Sequence, residues 1–288
     1  MLSVTDLSSY LFCARKLFLE KVLGFVEIPK EAMVKGTVRH EFYERLNQKE
    51  ESIITSIGEK MSLEDIISLY VVGYRTLLHE SIRNNKGRLE KVDLKANELF
   101  RQVWPILVKE AQTRAQNIHE FSQLHLVFGK KLWEKLTPKI TSEFRIASDT
   151  LQLKGIIDQI ETYPKGRIPV ELKTGSCPRE GVWPNHRVQI GAYALLLEER
   201  YGQPVKEAFV TYVDAQERRH VPINPFLREE IKDILHKTRG VLQNRELPDY
   251  CGNMNKCNAC SLKDTCYNPE KVGRRMEEVF NVALPGRA

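Results

Sequence analysis

Two apolar segments near the middle of the chain each end in charged side chains, and this feature most constrains the fold. Asp158 ends the first segment, and the triplet Glu171-Leu172-Lys173 begins thirteen residues later. Gln189 follows Lys173 by sixteen residues, and Tyr193 lies four further on. The apolar segments alternate as strands do, whereas the later residues have a helical period. The spacing therefore predicts an Asp, a Glu and a Lys at the ends of two adjacent strands, followed by a Gln and a Tyr on one helix face.

The residues before this region have a helical period. Thr5 is the expected N-cap of a helix over 6–22 that Gly24 ends, and a second helix is expected over 30–48. Residues 49–138 predict three or four more helices, with breaks at residues 84–87 and at Pro105.

The residues from 139 onward predict an α/β region. Three alternating segments separated by turns predict a meander of strands over 140–147, 151–162 and 168–173. They are followed by a helix over 185–201, strands over 205–213 and 218–223, and a helix over 226–243.

Composition sets broad limits on the protein class. The chain has 288 residues and is 42% hydrophobic, which predicts one large domain or a core with an insertion. It has no apolar run of about 18 residues and no basic-then-apolar start, so we expect a cytoplasmic protein without a membrane span. A net charge of +6 suits a polyanionic partner, and it suits an ordinary basic protein equally well.

The charged residues at the strand ends are of the types that metal-assisted phosphodiester hydrolysis uses. Asp158, Glu171 and the backbone carbonyl of Leu172 offer oxygen ligands to Mg²⁺ or Mn²⁺, and His40 offers an imidazole. Lys173 shares the strand face of Glu171 and would orient water or stabilise developing negative charge.

Other residues near this pattern have weaker signals. Gln189 and Tyr193 would hold a phosphate and stack on a base, and Glu143 would be a supporting acid. Taken alone, each residue of this pattern more commonly has a structural role than a catalytic one. The joint signal is stronger because Asp158 lies in an apolar strand, where an unpaired carboxylate is costly.

These residues resemble the motifs of a known family. Gly155-Ile156-Ile157-Asp158, Val170 to Gly175, Gln189-x3-Tyr193 and Gly36-x3-His40 are similar to the motifs of the RecB-like branch of the PD-(D/E)XK nucleases. The resemblance implies a restriction-endonuclease-like core, with a mixed sheet flanked by helices. It also implies His40, Asp158 and Glu171 as metal ligands and Lys173 as the catalytic lysine.

The cysteines predict a second metal centre. Cys257, Cys260 and Cys266 form a C-x2-C-x5-C run, and the fourth ligand is either the nearby Cys251, which favours zinc, or the remote Cys13. The remote arrangement resembles the iron–sulfur staple of the CRISPR-associated RecB-like nucleases and related recombination nucleases. It implies a 4Fe–4S cluster held by Cys13, Cys257, Cys260 and Cys266, with Cys177 an ordinary loop thiol.

The resulting expectation has four parts along the chain. Residues 1–47 are N-terminal helices, 48–138 a helical insertion, 139–245 the nuclease core and 246–288 the cluster segment. The basic insertion is either an arch over single-stranded DNA or a solvated helical face.

The expected function is a Mg²⁺- or Mn²⁺-dependent exonuclease acting on single-stranded DNA ends. It would work in CRISPR adaptation or in DNA recombination and repair, with a CRISPR integrase complex or a helicase as partner. The alternative is a non-catalytic iron–sulfur DNA-binding or adaptor subunit that keeps the motifs for structure alone.

Overall fold

A mixed six-stranded sheet organises the chain in the computed structural model, which describes residues 1–27 and 29–280. The last eight residues of the predicted cluster segment, 281–288, lie outside the described residues. The strands are β1 (Leu2–Ser3), β2 (Lys139–Ser148), β3 (Leu153–Tyr163), β4 (Gly166–Lys173), β5 (Glu207–Tyr212) and β6 (Glu217–Pro222).

The strand order is β1-β3-β4-β5-β6, and β2 pairs with β3 as well. The β2/β3, β3/β4 and β5/β6 pairs are antiparallel, whereas β1/β3 and β4/β5 are parallel. This confirms the predicted meander and the mixed sheet; the short strand β1 was not predicted. On one edge, β3 pairs with β1 at residues 153–154 and with β4 from Gln159 onward. Residues 155–158 lie between these two ladders, and there the sheet opens into a cleft.

The N-terminal helical region contains two helices rather than the single helix expected over 6–22. These are α1 (Val4–Phe12) and α2 (Ala14–Lys21), separated by Cys13 in an extended conformation at φ −168°. Ser3 caps α1, so the expectation of Thr5 was wrong. The Ser3 hydroxyl accepts from the Asp6 N–H at 3.2 Å, and the Ser3 N–H donates to the Asp6 carboxylate at 2.8 Å. This reciprocal capping box starts the helix one residue after β1.

Five helices form the region between α2 and the meander: α3 (Glu31–Thr55), α4 (Leu63–Asn84), α5 (Lys86–Glu90), α6 (Ala96–His125) and α7 (Gly129–Lys135). The break after Asn84 is where the sequence predicts it. The expected break at Pro105 was wrong, because Pro105 lies inside α6. The buried face of α6, which includes Leu99, Val103 and Leu107, packs into the core and compensates the hydrogen bond that proline removes.

Five more helices lie after the meander: α8 (Pro184–Tyr201), α9 (Pro225–Gln243), α10 (Met254–Ala259), α11 (Lys263–Cys266) and α12 (Pro269–Phe280). The predicted helices 185–201 and 226–243 are thereby confirmed to within one residue at each end. Among residues 1–27 and 29–280, every helix is too short or too polar to span a lipid bilayer.

Three hydrophobic clusters hold these layers together. The first joins α3, α4 and α6 to one sheet face through Val170, Leu172 and Val213. The second joins α1, α8 and α9 to the other sheet face. The third joins α2 to the C-terminal segment, where Phe18, Leu19 and Leu23 pack on Leu262 and Val272. The N-terminal helices and the last described segment of the chain therefore meet, and this contact is called here the junction of the chain ends.

Polar contacts reinforce this junction of the chain ends. The Arg15 guanidinium donates to the Pro248 carbonyl at 2.7 Å, and the Lys256 ammonium donates to the Leu11 carbonyl at 3.0 Å. The Arg275 guanidinium donates to the Leu23 carbonyl at 2.7 Å. Because these bonds span more than 230 residues of sequence, they fix the N-terminal helices against the cysteine-rich segment.

Candidate active site

The cleft at residues 155–158 contains the charged residues that the sequence singled out. It has a volume of about 880 Å³, and its walls include His40, Asp158, Glu171, Lys173, Gln189 and Tyr193. The structure thus brings together all six side chains, which come from α3, β3, β4 and α8.

Asp158 lies where β3 diverges from its neighbours. Its Oδ2 accepts the backbone N–H of Leu172 at 2.7 Å, which ties the end of β3 to β4. The ladder register places Glu143 of β2 opposite Asp158, but the regular pairing is interrupted there. Glu143 has a left-handed backbone conformation with φ +50°. Such a conformation is costly for a residue with a Cβ, so the strand is bent at this point against its local preference.

Glu171, Lys173 and Gln189 form a connected group. The Lys173 ammonium lies 2.8 Å from Glu171 Oε1 and donates to Gln189 Oε1 at 2.9 Å. The Gln189 amide in turn donates to Glu171 Oε1 at 2.6 Å. Glu171 is 2% exposed, and its Oε2 has no hydrogen-bond partner among the described residues. Gln189 therefore orients the lysine and one carboxylate oxygen together, while the second oxygen stays available for a ligand.

Tyr193 lies beneath β3, where it forms part of the cleft wall but is almost fully buried. Tyr193 is 2% exposed, and a Cβ placed on Gly155 would lie 2.6 Å from its ring atom Cε1. Only a glycine allows this approach of the strand to the ring. A buried ring has no free face for a base, so the geometry supports packing of the strand by Tyr193 rather than base stacking.

His40 reaches the site from α3. A Cβ on Gly36, one turn earlier, would lie 3.3 Å from Thr174 Oγ1, so the helix approaches the end of β4 closely at this glycine. His40 Nδ1 is 3.4 Å from Asp158 Oδ1 and 3.9 Å from Glu143 Oε1. Burial would lower the pKa of His40, but these two carboxylates outweigh it and raise the pKa to about 10.

Burial and neighbouring charges also shift the pKa values of Glu171 and Lys173. Burial, and then the negative charge of Asp158, raise the pKa of Glu171 to about 7. Burial alone would lower the pKa of Lys173, but the Glu171 carboxylate reverses this and raises it. When buried side chains together carry more negative than positive charge, a bound cation stabilises them.

The donor atoms suit a hard divalent cation. One ligand atom each from His40, Glu143 and Asp158 lie within 4.8 Å of one another. Together with the unpartnered Oε2 of Glu171, they offer mainly oxygen donors, which Mg²⁺ and Mn²⁺ prefer. Glu143 was expected only as a supporting acid, and the structure places it as close to His40 as a ligand would lie.

An ion pair between the buried Arg39, next to His40, and the exposed Asp214 is a feature that the sequence did not reveal. Arg39 is 1% exposed, and its guanidinium lies 3.4 Å from the Asp214 carboxylate. Asp214 Oδ2 also accepts the Gly175 N–H at 2.8 Å, just beyond the end of β4. The pair thus connects α3 to the loop after Lys173. No sequence signal predicts it, because Asp214 lies in a distant turn.

The cysteines converge on one small cavity at the junction of the chain ends. Its walls include Cys13, Cys251, Cys257, Cys260 and Cys266. Cys251 Sγ and Cys257 Sγ are 3.4 Å apart, and all five thiols are free. The donor set fits a centre with four thiolate ligands, and it holds both candidates for the fourth position, Cys13 and Cys251.

Comparison with known proteins agrees with this geometry. The sequence profile of the PD-(D/E)XK nuclease superfamily matches residues 1–267. The chain belongs to this superfamily. The match covers both the candidate active site and the cysteine cavity, and it confirms the restriction-endonuclease-like core expected from the motifs.

Several proteins with curated names are similar to parts of the chain. A CRISPR-associated exonuclease Cas4/endonuclease Cas1 fusion from Myxococcus xanthus is 32% identical over 50% of this chain and 28% of its own length. A CRISPR-associated exonuclease Cas4 from Francisella tularensis subsp. novicida is 26% identical over 42% of this chain and 59% of its own.

A longer match covers nearly the whole chain. The DNA replication ATP-dependent helicase/nuclease dna2 from Schizosaccharomyces pombe is 23% identical over 94% of this chain and 18% of its own length. The chain therefore spans less than a third of both the fusion protein and the helicase/nuclease.

Proposed function

We propose that this superfamily member is a divalent-metal-dependent deoxyribonuclease that degrades single-stranded DNA from an end. The observation that carries the proposal is the group of Asp158, Glu171 and Lys173 in one cleft, where the buried Glu171 Oε2 has no hydrogen-bond partner within residues 1–27 and 29–280. The names of the Cas4 and dna2 relatives support DNA as the substrate.

The metal would be held by His40, Asp158, Glu171 and the backbone carbonyl of Leu172, with Glu143 as a further donor. A bound Mg²⁺ or Mn²⁺ would polarise the phosphate and lower the pKa of a coordinated water. The Glu171 carboxylate and the Lys173 ammonium, 2.8 Å apart, partly neutralise each other before any ligand binds.

The remaining residues would position these groups. The Lys173 ammonium can donate to a phosphate oxygen and stabilise the charge that develops there. Gln189 keeps that ammonium beside Glu171 through its two hydrogen bonds. Tyr193 would support the strand that carries Asp158, through its contact with Gly155.

The cysteine cavity would hold a 4Fe–4S cluster with Cys13, Cys257, Cys260 and Cys266 as ligands. Such a cluster would add a covalent link between chain ends that already pack together. The alternative is zinc with Cys251 as a ligand, which the 3.4 Å approach of Cys251 to Cys257 keeps open.

The partner would be a CRISPR integrase complex or a helicase. Support for this comes from the relatives, because one is named as a fusion with a Cas1 endonuclease and another as a helicase/nuclease. A second function, a non-catalytic DNA-binding or adaptor subunit, would need a degenerate site, and here all six motif side chains line the cleft.

A cleavage assay tests the nuclease. Wild-type protein and the Asp158→Asn and Lys173→Ala variants are incubated with a labelled single-stranded oligonucleotide in Mn²⁺, in Mg²⁺ and in chelator. The expected result is cleavage by wild type that chelator abolishes, with at least a 100-fold loss in both variants. Wild-type-like cleavage in either variant refutes the residue assignment, and DNA binding without cleavage by wild type favours the adaptor.

Metal analysis tests the cluster. Iron, zinc and the visible absorption spectrum are measured for wild type and for the Cys13→Ser, Cys251→Ser and Cys177→Ser variants. We expect iron and a brown colour that Cys13→Ser loses, with Cys177→Ser as the control because Cys177 lies outside the cavity. A colourless zinc protein that depends on Cys251 would contradict the cluster.

A further inference from the structure

Three basic side chains line the cleft without taking part in the catalytic group. Arg145 of β2, Lys154 of β3 and Arg200 at the end of α8 are all exposed, and all three form part of the cleft wall. Many other basic side chains of the chain are in ion pairs, as Arg218 is with Glu161 and Arg228 is with Glu198.

These three cations have no acidic partner within the part of the chain that the structure describes. Arg200 instead has its guanidinium 5.3 Å from the centre of the Phe144 ring, which holds it toward β2. Unpaired cations that share a concave surface attract a polyanion more strongly than paired ones do.

The sheet geometry gives the cations a defined arrangement. Ala147 pairs with Lys154 and Arg145 pairs with Ile156, so Arg145 and Lys154 are diagonal neighbours on one face. Diagonal neighbours are about 7–8 Å apart. Lys154 precedes Asp158 by four residues, which is about 13 Å along a strand. Arg145 and Lys154 therefore lie side by side on β2 and β3, away from Asp158 along the strand, and Arg200 lines the same cleft from α8.

The surface on the other side of His40 has the opposite charge. A second pocket there shares His40 with the cleft, and its wall contains Glu41, Glu44 and Glu143 but only Arg45 as a lysine or arginine. A phosphate backbone is repelled from that side and attracted toward Arg145, Lys154 and Arg200. This charge difference across His40 would direct a bound strand toward the three cations.

We propose that Arg145, Lys154 and Arg200 form a phosphate track, which binds the non-scissile phosphates of a single nucleic-acid strand whose scissile phosphate lies at Asp158. The inference rests on the proposed nuclease for the position of the scissile phosphate. The hydroxyls of Ser3 and Thr5 line the same cleft and can donate to phosphate oxygens.

The test measures binding without hydrolysis. Fluorescence anisotropy with a labelled single-stranded oligonucleotide in chelator gives the dissociation constant at several KCl concentrations. The Arg145→Ala/Lys154→Ala variant is compared with a Lys130→Ala/Lys165→Ala control, which removes the same charge from exposed positions outside the cleft. Arg200→Ala is measured separately.

Each phosphate contact to a single strand contributes about 0.7 to the slope of log affinity against log salt, or about fivefold in affinity at 0.1 M. We expect the double variant to bind about 25-fold more weakly at 0.1 M KCl, with a slope reduced by about 1.4, and Arg200→Ala to bind about fivefold more weakly. The control should match wild type.

The two proposals fail in different ways. An unchanged dissociation constant and salt slope in the double variant, or equal losses in the control, overturn the phosphate track whatever the cleavage assay shows. If wild-type protein binds the oligonucleotide more tightly than the double variant but does not cleave DNA, the phosphate track is supported and the proposed nuclease is refuted.

Discussion

The side-chain amide of Gln189 donates to Glu171 Oε1 at 2.6 Å, and this bond connects α8 to the end of β4. The same glutamine accepts from Lys173 at 2.9 Å, so one side chain fixes both charged groups. Its amide is the neutral group that can donate to the carboxylate and accept from the ammonium at once.

We expect Gln189→Leu to lower kcat by about 10- to 100-fold with little change in KM. A lost hydrogen bond to a buried charged group costs about 1.5–3 kcal/mol, and here the cost falls on the placement of the lysine. Steady-state kinetics and thermal unfolding measured together check this. A variant with unchanged kcat shows that Lys173 is positioned by other contacts.

Gly155→Ala should destabilise the protein by about 1–3 kcal/mol, because the new Cβ would lie 2.6 Å from the Tyr193 ring. Replacing Tyr193 by leucine should remove most of this penalty, since the ring edge is then absent. Urea unfolding of the two single variants and the double variant gives the coupling. Additive effects would mean that the ring does not limit residue 155.

Glu143 keeps a left-handed backbone that glycine would adopt more easily. Glu143→Gly should therefore be about 1 kcal/mol more stable than Glu143→Gln in metal-free protein. Both variants should bind Mn²⁺ more weakly than wild type, because both lack the carboxylate. Calorimetric titration with Mn²⁺ and urea unfolding measure the two effects. Wild-type Mn²⁺ affinity in both variants would exclude Glu143 as a ligand.

His186 gives a pH dependence that can be isolated from the metal site. Its Nδ1 lies 3.0 Å from the Tyr212 hydroxyl, which also accepts the Trp183 N–H at 3.2 Å, so the hydroxyl proton points to a neutral imidazole. Burial, and then the charge of Lys173, lower the pKa of His186 from 6.5 to about 3. The folded state binds fewer protons than the unfolded state between these values.

Stability linked to His186 is therefore present above pH 6.5 and is lost as pH falls toward 3. His186→Gln keeps an acceptor for Tyr212 but cannot take up the proton. We expect its free energy of unfolding to fall less than that of wild type between pH 7 and pH 5. Urea titrations at pH 7, 6 and 5 measure this difference, and parallel pH profiles would contradict the assignment.

The meander and α8 could be predicted from the sequence because their signals are local. Period-two alternation marks β3 and β4. Helical spacing places Gln189 one turn before Tyr193 on the same face of α8. Because β3 and β4 are neighbours in the sheet, Asp158, Glu171 and Lys173 are expected to lie close together. His40, which lies more than a hundred residues earlier, was expected as an imidazole ligand from its residue type, and the motif resemblance supported it.

Features that depend on distant contacts could not be predicted. The break at Cys13 divides a pattern that looks continuously helical, and it places that thiol in the cavity with Cys257. The bend at Glu143 opposes local backbone preference. The continuous helix at Pro105 exists because the buried face of α6 outweighs a local breaker. In each case tertiary packing overrides the local signal.

Anomalous diffraction at the manganese edge, from crystals soaked in Mn²⁺, tests the central claim most directly. The account predicts one strong peak in contact with His40, Asp158 and Glu171, absent from Asp158→Asn crystals. A peak confined to the Glu41 and Glu44 surface, or no peak in the cleft at saturating Mn²⁺, would contradict it.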